Sequence, residues 1–146
     1  MSFHHKNVTV TLAIFSFILL FFALRSTQLI ANNEFNQSNV VQLWAIVVIL
    51  AIFATLAGII FAHGVSLAKN RQRLDEVEDL VDERDLRIDR EGTHLTYRLT
   101  SISTFIAMLL FAVGQSPLIM FSLLIVSGLI GQIAGDMRRL YLYRQG

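Results

Sequence analysis

The sequence predicts an all-α integral membrane protein with four transmembrane helices arranged as two hairpins and a charged cytoplasmic helix between the second and third. Three observations carry that expectation. The 146 residues are 54% hydrophobic and 16% charged, with a mean hydropathy of +0.58, too apolar for a soluble domain of this size. The apolar residues fall in long runs rather than in half-buried patterns. The basic residues lie almost wholly on one side of those runs. The length suits a single domain, residues 1–146, and the absence of cysteine excludes disulfides, iron–sulfur clusters, thiolate zinc and a cysteine nucleophile.

The first span, about residues 8–24, carries no charge from Val8 to Leu24 and is rich in phenylalanine. At 1.5 Å per residue it nearly crosses a hydrocarbon core of roughly 30 Å. A cleaved signal peptide is the rival reading, but the run is longer than a usual apolar core and Arg25 stands where small cleavage-site residues belong. The second span, about 40–62, is the longest run, with Trp44 near its start where an indole favours the interface. The third and fourth, about 97–114 and 117–135, are short runs separated by Gly114, Gln115, Ser116 and Pro117. Serine as N-cap with proline at the first helical position starts the fourth helix. A re-entrant pair that never crosses is the alternative.

Orientation follows from twelve Lys and Arg residues: Lys6 precedes the first span, seven lie from Lys69 to Arg98, and Arg138, Arg139 and Arg144 follow the fourth, leaving Arg25 alone opposite. This bias places both termini and the segment 65–96 in the cytoplasm. The Met137–Arg144 tail mixes basic and aromatic residues and suits an interfacial anchor. Small residues at four-residue spacing, Ala54, Gly58 and Ala62 in the second helix and Ser127, Gly131 and Gly135 in the fourth, form seams that permit close approach. The expectation is that they pack helices 2 and 4 within one chain; a homodimer face is the alternative.

No span holds an acid or base in its middle, which disfavours ion-coupled transport and proton relays. Haem ligation lacks a pair of axial ligands, since only His63 lies near a span. Phosphate loops, nucleophile elbows and metalloprotease motifs are missing too. No catalytic residue, cofactor, resident metal or direct nucleic-acid contact is therefore expected, and the protein is read as a non-enzyme.

The cytoplasmic segment is where the composition changes. From Val65 to Arg98 there are nine acids against seven bases, and Leu67, Leu74, Val81, Ile88 and Leu95 recur every seventh residue as a narrow apolar stripe on a helix continuing the second span. Gly92 followed by Thr93 reads as a stop and a new N-cap. Six acids and no base lie between Leu74 and Glu83, while Arg84 and Arg90 lack a good acid at helical spacing and are free for another surface. An acidic helix is repelled by an anionic leaflet, so the segment is expected to project or to pair.

The stretch Val81-Asp82-Glu83-Arg84-Asp85-Leu86-Arg87-Ile88, followed by Gly92 and Tyr97, resembles a family of uncharacterised small prokaryotic four-helix membrane proteins. Its pattern is an Asp-Glu-Arg-Asp stretch, an Ile three residues on, a small residue four later and a Tyr entering the next span. The resemblance implies a prokaryotic inner-membrane location and a shared use of this segment; some members look associated with helix-turn-helix regulators. The residues expected to serve assembly or partner binding are Asp82, Glu83, Arg84, Asp85 and Arg87, the acids as acceptors and the arginines as bidentate donors. The expected partners are the bilayer, further copies of the chain, and a basic soluble protein that the acidic helix would dock. A divalent-cation site or a small transporter or channel is the alternative.

Overall fold

The structure, a computed structural model, describes residues 3–71 and 83–145, and of residues 3–6, 59 and 61–71 only the backbone. It has four helices: α1 (Phe3–Ala31), α2 (Gln37–Arg71), α3 (Glu83–Ala112) and α4 (Pro117–Arg144). All four are long and apolar enough to cross a membrane, α3 being the least apolar.

Local chemistry accounts for the helix ends. Asn33 takes the left-handed conformation at φ 56°, and Glu34 N–H bonds back to Leu29 C=O at 2.8 Å while Asn33 N–H reaches Ile30 C=O at 3.1 Å. That double closure is a Schellman motif, with asparagine in the place glycine usually fills. Glycine fills it at the end of α3: Gly114 has φ 92°, and Gln115 N–H bonds to Leu110 C=O and Gly114 N–H to Phe111 C=O. Asn36 caps α2 by accepting from Asn39 N–H at 3.0 Å, and Ser116 caps α4 by accepting from Leu118 N–H at 3.2 Å.

The helices pack around α4. Its longest contact is with α3, its next with α1, and it touches α2 only lightly. On the α1 side the core is built by Phe15, Ile18, Phe22 and Leu29 of α1, by Val40, Leu43, Val47 and Ala54 of α2, and by Leu129 of α4. Both sets follow three- and seven-residue spacing, so α1 and α2 meet along a heptad-like seam. Trp44 ties α2 to α4, its indole N–H donating to Ser122 Oγ at 3.1 Å and its ring lying 5.6 Å from that of Phe121.

Large apolar side chains face outward on every helix, among them Phe17, Phe53, Phe105 and Ile130. A water-soluble monomer does not expose contiguous apolar surface on this scale, whereas a lipid-facing bundle must.

Two expectations are corrected. The charged residues from Glu83 onward do not form a separate helix between the second and third: α3 runs unbroken through Gly92 and Thr93 into the apolar stretch. Gly92 serves close packing instead of a stop, because a Cβ there would lie 2.5 Å from Arg139 Cγ and 2.9 Å from Gly135 C=O. Of the fourth-helix seam, Gly131 and Gly135 face α3 and not α2, while Ser127 is buried with its hydroxyl donating to Leu124 C=O of its own helix. A Cβ on Gly131 would lie 2.6 Å from Thr100 Oγ1, and one on Gly135 would strike Thr96 Oγ1, both on α3. The reason is hydrogen bonding as well as size: the Thr96 hydroxyl donates to the bared Gly131 carbonyl at 3.0 Å, which the alanines of α2 cannot do. On α2, Ala54 is buried in the α1-facing core and Gly58 lies 3.6 Å from Thr11 of α1, while the side chain of Ala62 lies outside the described residues.

Candidate functional site: a polar lock between α3 and α4

Above the apolar part of the bundle, the first half of α3 and the last turns of α4 form a two-helix stem. The glycine contacts Gly92–Gly135 and Thr96–Gly131 bring the backbones together, so side chains flanking them reach across without extending. At the centre stands Asp136, 2% exposed and one residue beyond the predicted span. A carboxylate so far out of water must be paired and hydrogen-bonded. Gln132 Nε2, one turn earlier, donates to its two oxygens at 3.2 and 3.3 Å, and Arg139 Nη1 donates to Oδ1 at 2.7 Å.

Arg139 also spans the gap to α3. Its Nε donates to Asp89 Oδ1 at 2.9 Å and its Nη2 to Thr93 Oγ1 at 2.8 Å, so one guanidinium holds two carboxylates and a hydroxyl. Its side chain is only 14% exposed, and the planar fork makes its three bonds from three separate nitrogens, a spread that the single nitrogen of a lysine could not cover. Around this clamp, the Tyr143 hydroxyl donates to Asp85, Arg138 pairs with Glu91 at 3.5 Å, and the Arg138 guanidinium lies 5.9 Å from the Tyr141 ring centroid. The Arg138–Glu91 pair is half in water and contributes at most about 1 kcal/mol. The chemistry of this set is that of a fastener: Asp136 spends its hydrogen-bonding capacity on Gln132 and Arg139 of its own helix, and Arg139 spends the rest of its own on α3.

The residues predicted to carry function are dispersed by this arrangement. Asp82 lies outside the described residues, as do Leu74 and Val81 of the apolar stripe and the acids Asp75 to Asp79; the side chains of Leu67 and His63 lie outside them too. Glu83 is exposed in the first turn of α3, where an acid suits the helix N-terminus. Arg84 is exposed but engaged, so it is not the free cation it was expected to be. Asp85 is the one predicted residue turned onto α4, and Arg87 is exposed on the opposite side. Ile88 of the stripe is buried, beside Gly92.

Sequence reasoning missed Asp136, Arg139, Asp89 and Thr93, which make the lock, and took Arg138 and Arg139 for lipid anchors. The signal was local. Gln132, Asp136 and Arg139 stand at four- and three-residue spacing on one face, directly after the glycine seam.

Among the described residues no three His, Asp or Glu side chains converge as a metal site would require. A cleft of about 420 Å³ opens between α1, α2 and α4, lined by Phe15, Val47, Leu124 and Gly128 among others. Its polar group is the Thr55 hydroxyl, already bonded to Ala51 C=O at 2.8 Å. No family model, curated protein or solved structure matches the chain.

Proposed function

We propose that the chain is a non-enzymatic, multi-pass protein of a prokaryotic inner membrane, with both termini cytoplasmic, whose α3–α4 stem is an assembly element. The stem fixes α3 on α4 and presents its outermost turn for association with further copies of the chain. The observation that carries this is the Arg139 clamp. An almost buried guanidinium on α4, held by the buried Asp136 of its own helix, reaches across to Asp89 and Thr93 of α3 and is surrounded by secondary pairs, an investment in one fixed arrangement at the membrane surface. The charge bias of eleven bases against one supports the orientation, and the Asp-Glu-Arg-Asp resemblance supports the prokaryotic setting.

A photo-crosslinking residue at Glu83 or Leu86, both exposed on the outer turn, tests the proposal in cells. Self-crosslinks that vanish in Arg139→Met at matched membrane levels are expected. Capture of a basic soluble protein instead would replace assembly by docking, the reading favoured by the acidic character of the chain leading to Glu83. Crosslinks unchanged by Arg139→Met would overturn the role given to the lock.

A further inference from the structure

The charges of α3 are sorted by face, although the sequence interleaves them. At about 100° per residue, Asp85, Ile88, Asp89, Gly92, Thr93 and Thr96 share one side, and it meets α4. Arg87, His94 and Arg98 fall within about 40° of one another on the opposite side, with Arg90 about 60° from Arg87. All four are exposed, and among the described residues none has a hydrogen-bond or ion-pair partner. Among the described residues the acids only partly offset them. Asp85 and Asp89 are turned inward onto Tyr143 and Arg139; Glu91 and Glu83 each fall about 40° from Arg87 on the outer side, but Glu91 is paired with Arg138 and Glu83 stands one turn farther from the membrane than Arg87. The described outer face is thus net positive, most clearly at its membrane end.

That face begins where the apolar part of α3 begins. Arg98 directly precedes Leu99, with Tyr97, 69% exposed, beside it at the depth where aromatic side chains favour the interface. Moving away from the membrane, His94, Arg90 and Arg87 follow at roughly 6, 12 and 16 Å. The headgroup layer is only about 5–7 Å deep, and the field of an anionic leaflet decays over about 8 Å. Helical side chains lean toward the helix N-terminus, which for Arg98 is the direction of the headgroups. Among the described residues, the principal contact of α3 is with α4, on the opposite side.

We infer that the outer face of α3 binds the headgroups of anionic phospholipids, with Arg98 inside the headgroup layer, His94 at its edge, and Arg90 and then Arg87 beyond it in the decaying surface field. The acidic run before Glu83, expected to be repelled by an anionic leaflet, lies outside the described residues; on α3 itself the lock draws Asp85 and Asp89 away from the outer face. The inference rests on the membrane orientation proposed above and not on self-association, so it stands or falls separately from the crosslinking result.

The test uses the full chain in nanodiscs of phosphatidylcholine with a minority of phosphatidylglycerol, and native mass spectrometry to count the lipids retained on release. Wild type is expected to retain phosphatidylglycerol preferentially, with the preference falling as salt rises. Arg98→Gln should reduce it about fivefold, Arg90→Gln less and Arg87→Gln hardly at all, following the decay of the surface field. The triple exchange of these arginines to lysine should keep it, since lipid phosphate recognises charge more than fork geometry. Trp44 emission, remote from the stem, verifies folding of each variant. Equal retention of the two lipids by wild type, or a preference unchanged in the triple glutamine variant, overturns the inference.

Discussion

Replacing Arg139 with methionine keeps most of the side chain's packing and removes its charge, and the structure sets the size of the effect. Asp136, 2% exposed, would retain only the Gln132 amide. Stranding one member of a buried ion pair costs about 3–5 kcal/mol, and the surviving Gln132 bond lowers that to about 2–3 kcal/mol. The Asp89 carboxylate is 69% exposed, so its loss adds at most about 1 kcal/mol. The Thr93 bond adds about another 1 kcal/mol, for a total of about 3–5 kcal/mol. Asp136→Asn should cost less, about 1–2 kcal/mol, because the amide oxygen still accepts from Arg139, which keeps Asp89. The double variant should cost less than the sum, with a coupling of about 1 kcal/mol or more. Unfolding midpoints of the purified full chain in mixed micelles, followed by helicity, give all four corners of the cycle. A loss below about 1 kcal/mol for Arg139→Met, additive with Asp136→Asn, would refute the lock as the principal polar tie between α3 and α4.

The same unfolding measurement checks four further expectations. Gly135→Ala should destabilise by about 1–3 kcal/mol, because its Cβ meets Thr96 Oγ1 and the Gly92 carbonyl, which as backbone cannot swing aside. Gly128→Ala, with open space around its Cβ, should be neutral or stabilising by up to about 1 kcal/mol. Ser122→Ala should cost about 1 kcal/mol by removing the acceptor of the Trp44 indole, and should shift the emission of Trp44, the one tryptophan in the chain. Gly114→Ala, at φ 92°, should cost about 1–2 kcal/mol through backbone strain alone, with no new contact.

Apolar runs and turn chemistry made the four helices legible, down to the Ser116 cap and Pro117 start of α4. The seams were not legible, for a physical reason. A helix that is apolar all round gives no amphipathic signal of which side meets protein and which meets lipid, so the heptad spacing of Phe15, Ile18 and Phe22 stands out only once the buried set is known. Small residues marked where close approach was possible but not the partner. Gly131 and Gly135 were matched to the alanine and glycine pattern of α2, whereas the complementary surface is Gly92, Thr96 and Thr100, with the Thr96 hydroxyl bonded to the exposed Gly131 carbonyl. Gly92 and Thr93 misled because glycine before threonine reads equally as a helix end and as a packing site. The lock was overlooked because attention went to the density of charge around Asp82–Arg87, while its central members are a single acid and a single arginine at the end of α4.

The central claim is that α4 carries α3 through the glycine and threonine seam that leads into the lock. It is tested most directly by oxidative crosslinking in native membranes, where a chain without cysteine gives no background. A Cβ at Gly131 lies 3.6 Å from the Thr96 side-chain methyl, within disulfide reach. The account predicts that Thr96→Cys with Gly131→Cys forms an intramolecular disulfide readily, and that Gly58→Cys with Gly131→Cys does not. A dominant crosslink between positions 58 and 131, with none between 96 and 131, would contradict it.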